Sequence, residues 1–298
     1  MATRSNSRCS LRVGVIGIIV TICVIILIIS LIAAYTAIKR KEDTHIWKGQ
    51  GTTQNLQDIV LGRCYNYVTM NPGIGKKNCD AIWQALTGAV YKKNPCNITQ
   101  EDYKPLADLA SQTIQCNKTL LWSKTNSLVH RYTKASQDFL TLEDTFLGSM
   151  FDSLMWCGMS YSSEMNYDSC PAWNECDNNA ISAFWKMASA TFAKASCGVV
   201  NVMLNGSADG GVARKESILR TVEVPSMNVN AVSEVRLWIM DDLEGPDKNS
   251  CDTESAVELK DYIEQHKLPF SCIDNYRPVQ LLQCIETPDL PACKLCKS

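Results

Sequence analysis

The longest pattern in the chain is apolar and lies near its N-terminal end. Residues 13–38 carry no charged side chain over 26 positions, about 39 Å if helical, which more than spans a bilayer core of about 30 Å. The run predicts a transmembrane anchor and is longer than the apolar region of a signal peptide. From 59 to about 196 the pattern turns helical, with apolar positions three and four apart in 79–91, 103–113, 141–155 and 181–197. Beyond Cys197, short β-branched or apolar runs at 199–204, 222–224 and 235–240 alternate with turn-rich loops and a helix-like stretch at 254–266. The expected fold class is therefore α+β and disulfide-rich. A helical lobe takes about 59–115 and 141–196. An α/β lobe takes about 116–140 and 197–298, with a small, mostly parallel sheet flanked by helices. A cleft between two such lobes is the expected place for a ligand.

Within this pattern, 141–157 stands out because Glu143, Asp144 and Asp152 sit among apolar side chains. A carboxylate in such company needs a partner, a ligand or solvent. Thr141 with Asp144 reads as a capping box, so a helix is expected to start near Leu142. Glu143 and Asp152 are nine positions apart, which places them on opposite faces of a continuous helix. Either Gly148 breaks that helix or the two acids do not act as a pair.

Composition narrows the chemistry. A formal net charge of −2 offers no basic surplus for nucleic acid. Three histidines, His45, His130 and His266, are scattered without metal-ligand spacing, and no GxSxG elbow occurs. No metal site is expected. Gly73-Ile74-Gly75-Lys76 lacks the flanking residues of a phosphate loop and reads as a turn. What remains is carboxylates and seven tryptophans, of which Trp122 and Trp185 sit beside hydroxyl or basic residues.

Charge does not orient the anchor, since Arg4, Arg8 and Arg12 face Lys39, Arg40 and Lys41 across it. The cysteines do. Of 15, Cys9 and Cys23 belong to the tail and the apolar run, leaving 13 after residue 60. That density, without metal spacing, indicates disulfides and an oxidising compartment. Sequons at Asn97, Asn117 and Asn205 agree, as glycosylation acceptors. The expected layout is a cytosolic tail (1–12), an anchor (13–38), a stalk (39–58) and an extracellular domain (59–298), a type II protein of the plasma membrane. The odd cysteine, assigned to Cys296, is free or pairs between chains.

Several longer motifs occur in one order: NPCNIT from Asn94, CNKTLLWSK from Cys116, TLEDTFLG from Thr141, SCPAW from Ser169, FWKMAS from Phe184, VMLNGS from Val202, TVEV from Thr221, and FSC, NYRP and LLQC between Phe270 and Cys284. In these stretches the chain resembles the ADP-ribosyl cyclase/cyclic ADP-ribose hydrolase family, most of all its type II leukocyte-surface member. The resemblance implies cleavage of NAD to ADP-ribose and nicotinamide, synthesis and hydrolysis of cyclic ADP-ribose, and base exchange on NADP at acidic pH. NAD and NADP are then substrates and no cofactor is implied. It implies catalysis by Glu223 and aromatic walls from Trp122 and Trp185. Glu143 and Asp152 would meet the nicotinamide amide, and Ser123, Lys124 and Ser189 the diphosphate and ribose. It also implies disulfides Cys64–Cys79, Cys96–Cys176, Cys116–Cys197, Cys157–Cys170, Cys251–Cys272 and Cys284–Cys293. A homodimer and a surface protein ligand are partners compatible with this layout.

Two departures from the family pattern stand out. Lys124 takes the place of an arginine, exchanging a bidentate grip for a point charge. The segment Ser217-Ile218-Leu219-Arg220 before TVEV also differs, with about one residue inserted upstream. A surface receptor on the same scaffold, without turnover, is the rival reading.

Overall fold

The computed structural model describes residues 20–35, 37 and 45–294. Residues 20–35 are helical (α1) with exposed apolar side chains such as Ile25, Leu27 and Leu31. Among the described residues no helix is long and apolar enough to cross a membrane. The expected tail, part of the anchor, part of the stalk and Cys296 lie outside the described residues.

The rest of the expected stalk is docked onto the folded domain. Strand β1 (Gly49–Gln50) pairs antiparallel with β3 (Ser169–Cys170). Thr52 N–H donates to Asn166 O and Thr53 N–H to Met155 O, both at 2.9 Å.

The helical part gathers α2 (Leu56–Met70), α3 (Cys79–Val90), α4 (Lys104–Leu109), α6 (Phe146–Phe151) and α7 (Ala180–Ala195). Local chemistry sets their starts. Asn78 caps α3 by accepting from Ala81 N–H, and Asn179 caps α7 by accepting from Ser182 N–H. The four-stranded sheet runs β2 (Leu120–Ser123), β4 (Gly198–Asn205), β5 (Val232–Met240), β6 (Phe270–Asp274), all parallel. Its side chains alternate between two cores. Val200, Val202, Leu204, Val235, Leu237 and Ile239 join the main core with the helices. Met203, Trp238 and Met240 face a smaller one with Val129, Tyr132 and Val279, from α5 (Asn126–Ser136) and the helix Arg277–Glu286. A sheet covered on both faces explains why its strands read as nearly continuous apolar runs.

Disulfides join Cys64–Cys79, Cys96–Cys176, Cys116–Cys197, Cys157–Cys170, Cys251–Cys272 and Cys284–Cys293, the six pairs that the resemblance implies. Two of them close loops of 80 and 81 residues and so tie distant parts of the domain together.

Two local expectations are corrected. The run 222–224 is helical, not extended: Leu219–Glu223 form a π-helical turn that continues into Val224–Ser226 (α8). The Thr221 and Ser226 hydroxyls donate back to the carbonyls of Ser217 and Val222, and the Tyr262 hydroxyl donates to Arg220 O at 2.6 Å. With Leu219 and Val224 buried, tertiary packing overrides the β preference of the branched residues.

The second correction concerns 141–155. Thr141 and Asp144 do form a capping box, but it closes only the 3-10 turn Leu142–Asp144. The helix breaks at Thr145, which is extended and caps α6 by accepting from Gly148 N–H. The break does not fall at Gly148, which instead lets α6 lie against that turn. A Cβ there would stand 1.9 Å from Leu142 O. Gly148→Ala should therefore cost about 1–3 kcal/mol, read by calorimetry as a Tm lower by at least about 2–4 °C; an unchanged Tm would refute the close approach.

Candidate active site

A cleft of about 340 Å³ opens between the helices and the strand ends. Each element delivers its share for a local reason. The end of β2 presents Trp122, Ser123 and Lys124, and the turn after Thr141 presents Leu142 and Glu143. Trp185 and Ser189, four apart on α7, fall on one helix face and both line the cleft. The π-helical turn adds Leu219 and Glu223, and the preceding loop adds Arg214, Ser217 and Ile218. π-Turns are frequent at functional sites because they re-aim a side chain at the expense of the regular ladder.

Glu223 is only 7% exposed. Burial pushes its pKa up to about 8; the Ser189 hydroxyl beside it pulls the other way, and the negative charge of Glu143 adds a further push. A carboxyl poised near neutrality ionises readily when a cation enters. Glu143 accepts from the Trp122 indole N–H at Oε2, 3.2 Å away, and His130 Nε2 stands 4.0 Å from the same oxygen.

The charges in the cleft are segregated by depth. The carboxylates belong to buried or nearly buried side chains, whereas the cations Lys124 and Arg214 are exposed. Lys124 takes the left-handed backbone region at φ 59° and donates from Nζ to Asp209 O at 2.8 Å. Such a cleft suits a ligand that is cationic at one end and anionic at the other.

Not every expected residue is here. Asp152 ends α6, is exposed, and does not line the cleft; its carboxylate accepts from the Ser153 hydroxyl and its carbonyl from Arg63 Nη1 at 2.7 Å. With the break at Thr145, Asp152 is turned away from Glu143. Conversely, Trp173, Arg214 and Ser217 line the cleft although nothing in the sequence marks them for a role there. Trp173 lies in the SCPAW motif, and Arg214 in the loop that carries the inserted residue, so both stretches were visible while their direction was not. Among the described residues, no group of three or more histidine, cysteine or acidic side chains could hold a metal ion. Asn97 and Asn117 are exposed, whereas Asn205 is half-buried and its amide donates to Lys124 O.

The sequence profile of the ADP-ribosyl cyclase family matches residues 53–293, which contain all of these elements. The chain belongs to the ADP-ribosyl cyclase family. ADP-ribosyl cyclase/cyclic ADP-ribose hydrolase 1 of Mus musculus is 43% identical over 294 residues, 98% of this chain and 94% of its own length. Among solved structures, porcine CD38 with a covalent ribo-F-ribose-5'-phosphate intermediate is 40% identical with a TM-score of 0.73, over 78% of this chain and all of that one. Aplysia cyclase in complex with the substrate NGD and the product cGDPR is 29% identical with a TM-score of 0.74, over 82% of this chain and 98% of that one. In this cyclase-family chain the aromatic and acidic side chains of the cleft come from the motifs that carry the sequence resemblance.

Proposed function

We propose that this chain is an NAD glycohydrolase and ADP-ribosyl cyclase, cleaving the nicotinamide–ribose bond at Glu223. The observation that carries the reading is a buried carboxyl in a tryptophan-lined cleft whose outer side chains are cationic. Nicotinamide in NAD is a pyridinium and leaves without a strong general acid, unlike the alcohol of an ordinary glycoside. Positive charge then grows on the ribosyl carbon, and an ionised carboxylate in a dry cleft stabilises it far better than water does. Trp122, Trp173 and Trp185 supply faces for flat, partly cationic rings, each contact worth about 0.5–2 kcal/mol. Glu143 Oε1, which accepts no protein donor among the described residues, is free for the nicotinamide amide. Ser189 orients Glu223, and Lys124, Arg214 and Ser123 receive the diphosphate.

Water capture of the intermediate gives ADP-ribose, and attack by the folded-back adenine gives the cyclic product. The same centre hydrolyses cyclic ADP-ribose by re-forming the intermediate, and exchanges the base of NADP when another pyridine outcompetes water. Six disulfides and the sequons support an extracellular domain, and the apolar run 13–38 supports a type II anchor in the plasma membrane. A receptor without turnover has no use for a buried, unpaired carboxyl, which only costs stability.

The test is chromatography of NAD incubated with the purified protein. Nicotinamide and ADP-ribose in equal amounts, less any cyclic product, are expected; intact NAD would overturn the reading.

A further inference from the structure

We propose that His130 is a positioning residue for the cleft, holding the Glu143 carboxylate and the Trp122 ring in register from behind. The inference rests on the catalytic reading above. His130 does not line the cleft, and nothing in its sequence context marks it, since it has no partner at metal-ligand or triad spacing.

Its placement is set by its helix. On α5, the neighbouring Val129 and Tyr132 are locked into the smaller core, and Thr125 at the helix start donates its hydroxyl to Met203 O at 3.1 Å. His130 is thereby held with its ring edge-to-face on Trp122, centroids 5.8 Å apart at 73°. Its Nε2 reaches to 4.0 Å from Glu143 Oε2, and Glu143 is the only carboxylate within that distance among the described residues. The Trp122 indole N–H donates to the same Oε2. The indole hydrogen bond and the longer imidazole approach, which is beyond hydrogen-bond distance, therefore fall on one oxygen and leave Oε1 for the ligand. A carboxylate held by the indole N–H alone pivots about that one bond, and its free oxygen no longer has a fixed position beside the leaving base.

The consequence is a role in partitioning. While nicotinamide is bound, the braced Glu143 holds its amide. Once nicotinamide departs, the same carboxylate decides whether a water or the adenine edge occupies the vacated space. Removing the brace therefore changes the product ratio more than the total rate of NAD loss, because Glu223 and the Ser189 hydroxyl beside it are not part of the brace.

The experiment compares His130→Phe, His130→Asn and His130→Gln in the full chain. Phe keeps a ring edge against Trp122 and loses the nitrogen. Asn stops short of Glu143, and Gln restores reach. Both products are quantified from NAD, with kcat and KM for total turnover. Phe and Asn are expected to shift the ratio of cyclic to linear product by about five-fold, in the direction that Glu143→Ala shifts it, with kcat within about two-fold. Gln should return the ratio to within about two-fold of the unsubstituted chain. Added to Glu143→Ala, His130→Phe, which keeps the ring edge on Trp122, should change nothing further in the product ratio. A ratio unmoved by Asn, or effects that multiply in the double variant, would overturn the proposal. If Phe fails to fold, Asn and Gln decide alone at this 30% exposed position. If the unsubstituted chain leaves NAD intact, it is the catalytic reading that fails.

Discussion

Glu223→Gln is expected to lower kcat for NAD cleavage by about 100- to 1,000-fold while leaving NAD affinity within a few-fold. The amide fills the same buried space beside the Ser189 hydroxyl, so the cleft keeps its shape. It carries no charge, so the growing cation on the ribosyl carbon loses its main stabiliser, and a loss confined to kcat is the signature of an interaction made in the transition state. Steady-state kinetics beside calorimetric binding of NAD separates the two quantities. An equal loss of affinity would mean that Glu223 only shapes the pocket. The pH profile carries the same information. Activity in kcat/KM should rise as the free carboxyl ionises, through about pH 8. The limb in kcat should lie lower, because the bound pyridinium favours the ionised form.

The second expectation concerns stability. Glu223 is held at a pKa of about 8 against an ordinary 4.5. Between those values the unfolded chain has released its proton and the folded chain keeps it. Stability therefore falls as pH rises across this window, the reverse of what a salt-bridged carboxylate gives. Glutamine has no proton to lose. The Tm of Glu223→Gln minus that of the unsubstituted chain should grow from pH 5 to pH 8.5, by about 5–10 °C for a difference of a few kcal/mol. A constant gap would show that Glu223 titrates normally and is wet. An inactive variant that is also more stable is the trade expected when a fold holds a carboxyl where solvation would not put it.

Both expectations depend on features that the sequence reveals unevenly. Strands β4 and β5 were legible because branched apolar residues run continuously where a sheet is covered on both faces. Helix α7 was legible because its apolar side chains repeat at helical spacing, which also put Trp185 and Ser189 on one face. The short elements were not. At 222–224 the valines suggest a strand, but Leu219 and Val224 can be buried together only by coiling, and that choice belongs to the surrounding core. At 141–152 the sequence shows the capping box but not how short the turn it opens is, because the close approach of Gly148 to Leu142 O is invisible until both are placed. That single break sends Glu143 into the cleft and Asp152 to the surface. His130 shows the same limit from the other side, since a residue acting through its neighbours has no motif of its own.

The central claim is that Glu223 breaks the nicotinamide–ribose bond in this cleft. Etheno-NAD, whose fluorescence rises when nicotinamide leaves, tests it with the folded chain and its Glu223→Gln variant at equal concentration. A steady rise with the first and an almost flat trace with the second is the predicted result; no rise in either, or equal rises in both, would contradict it.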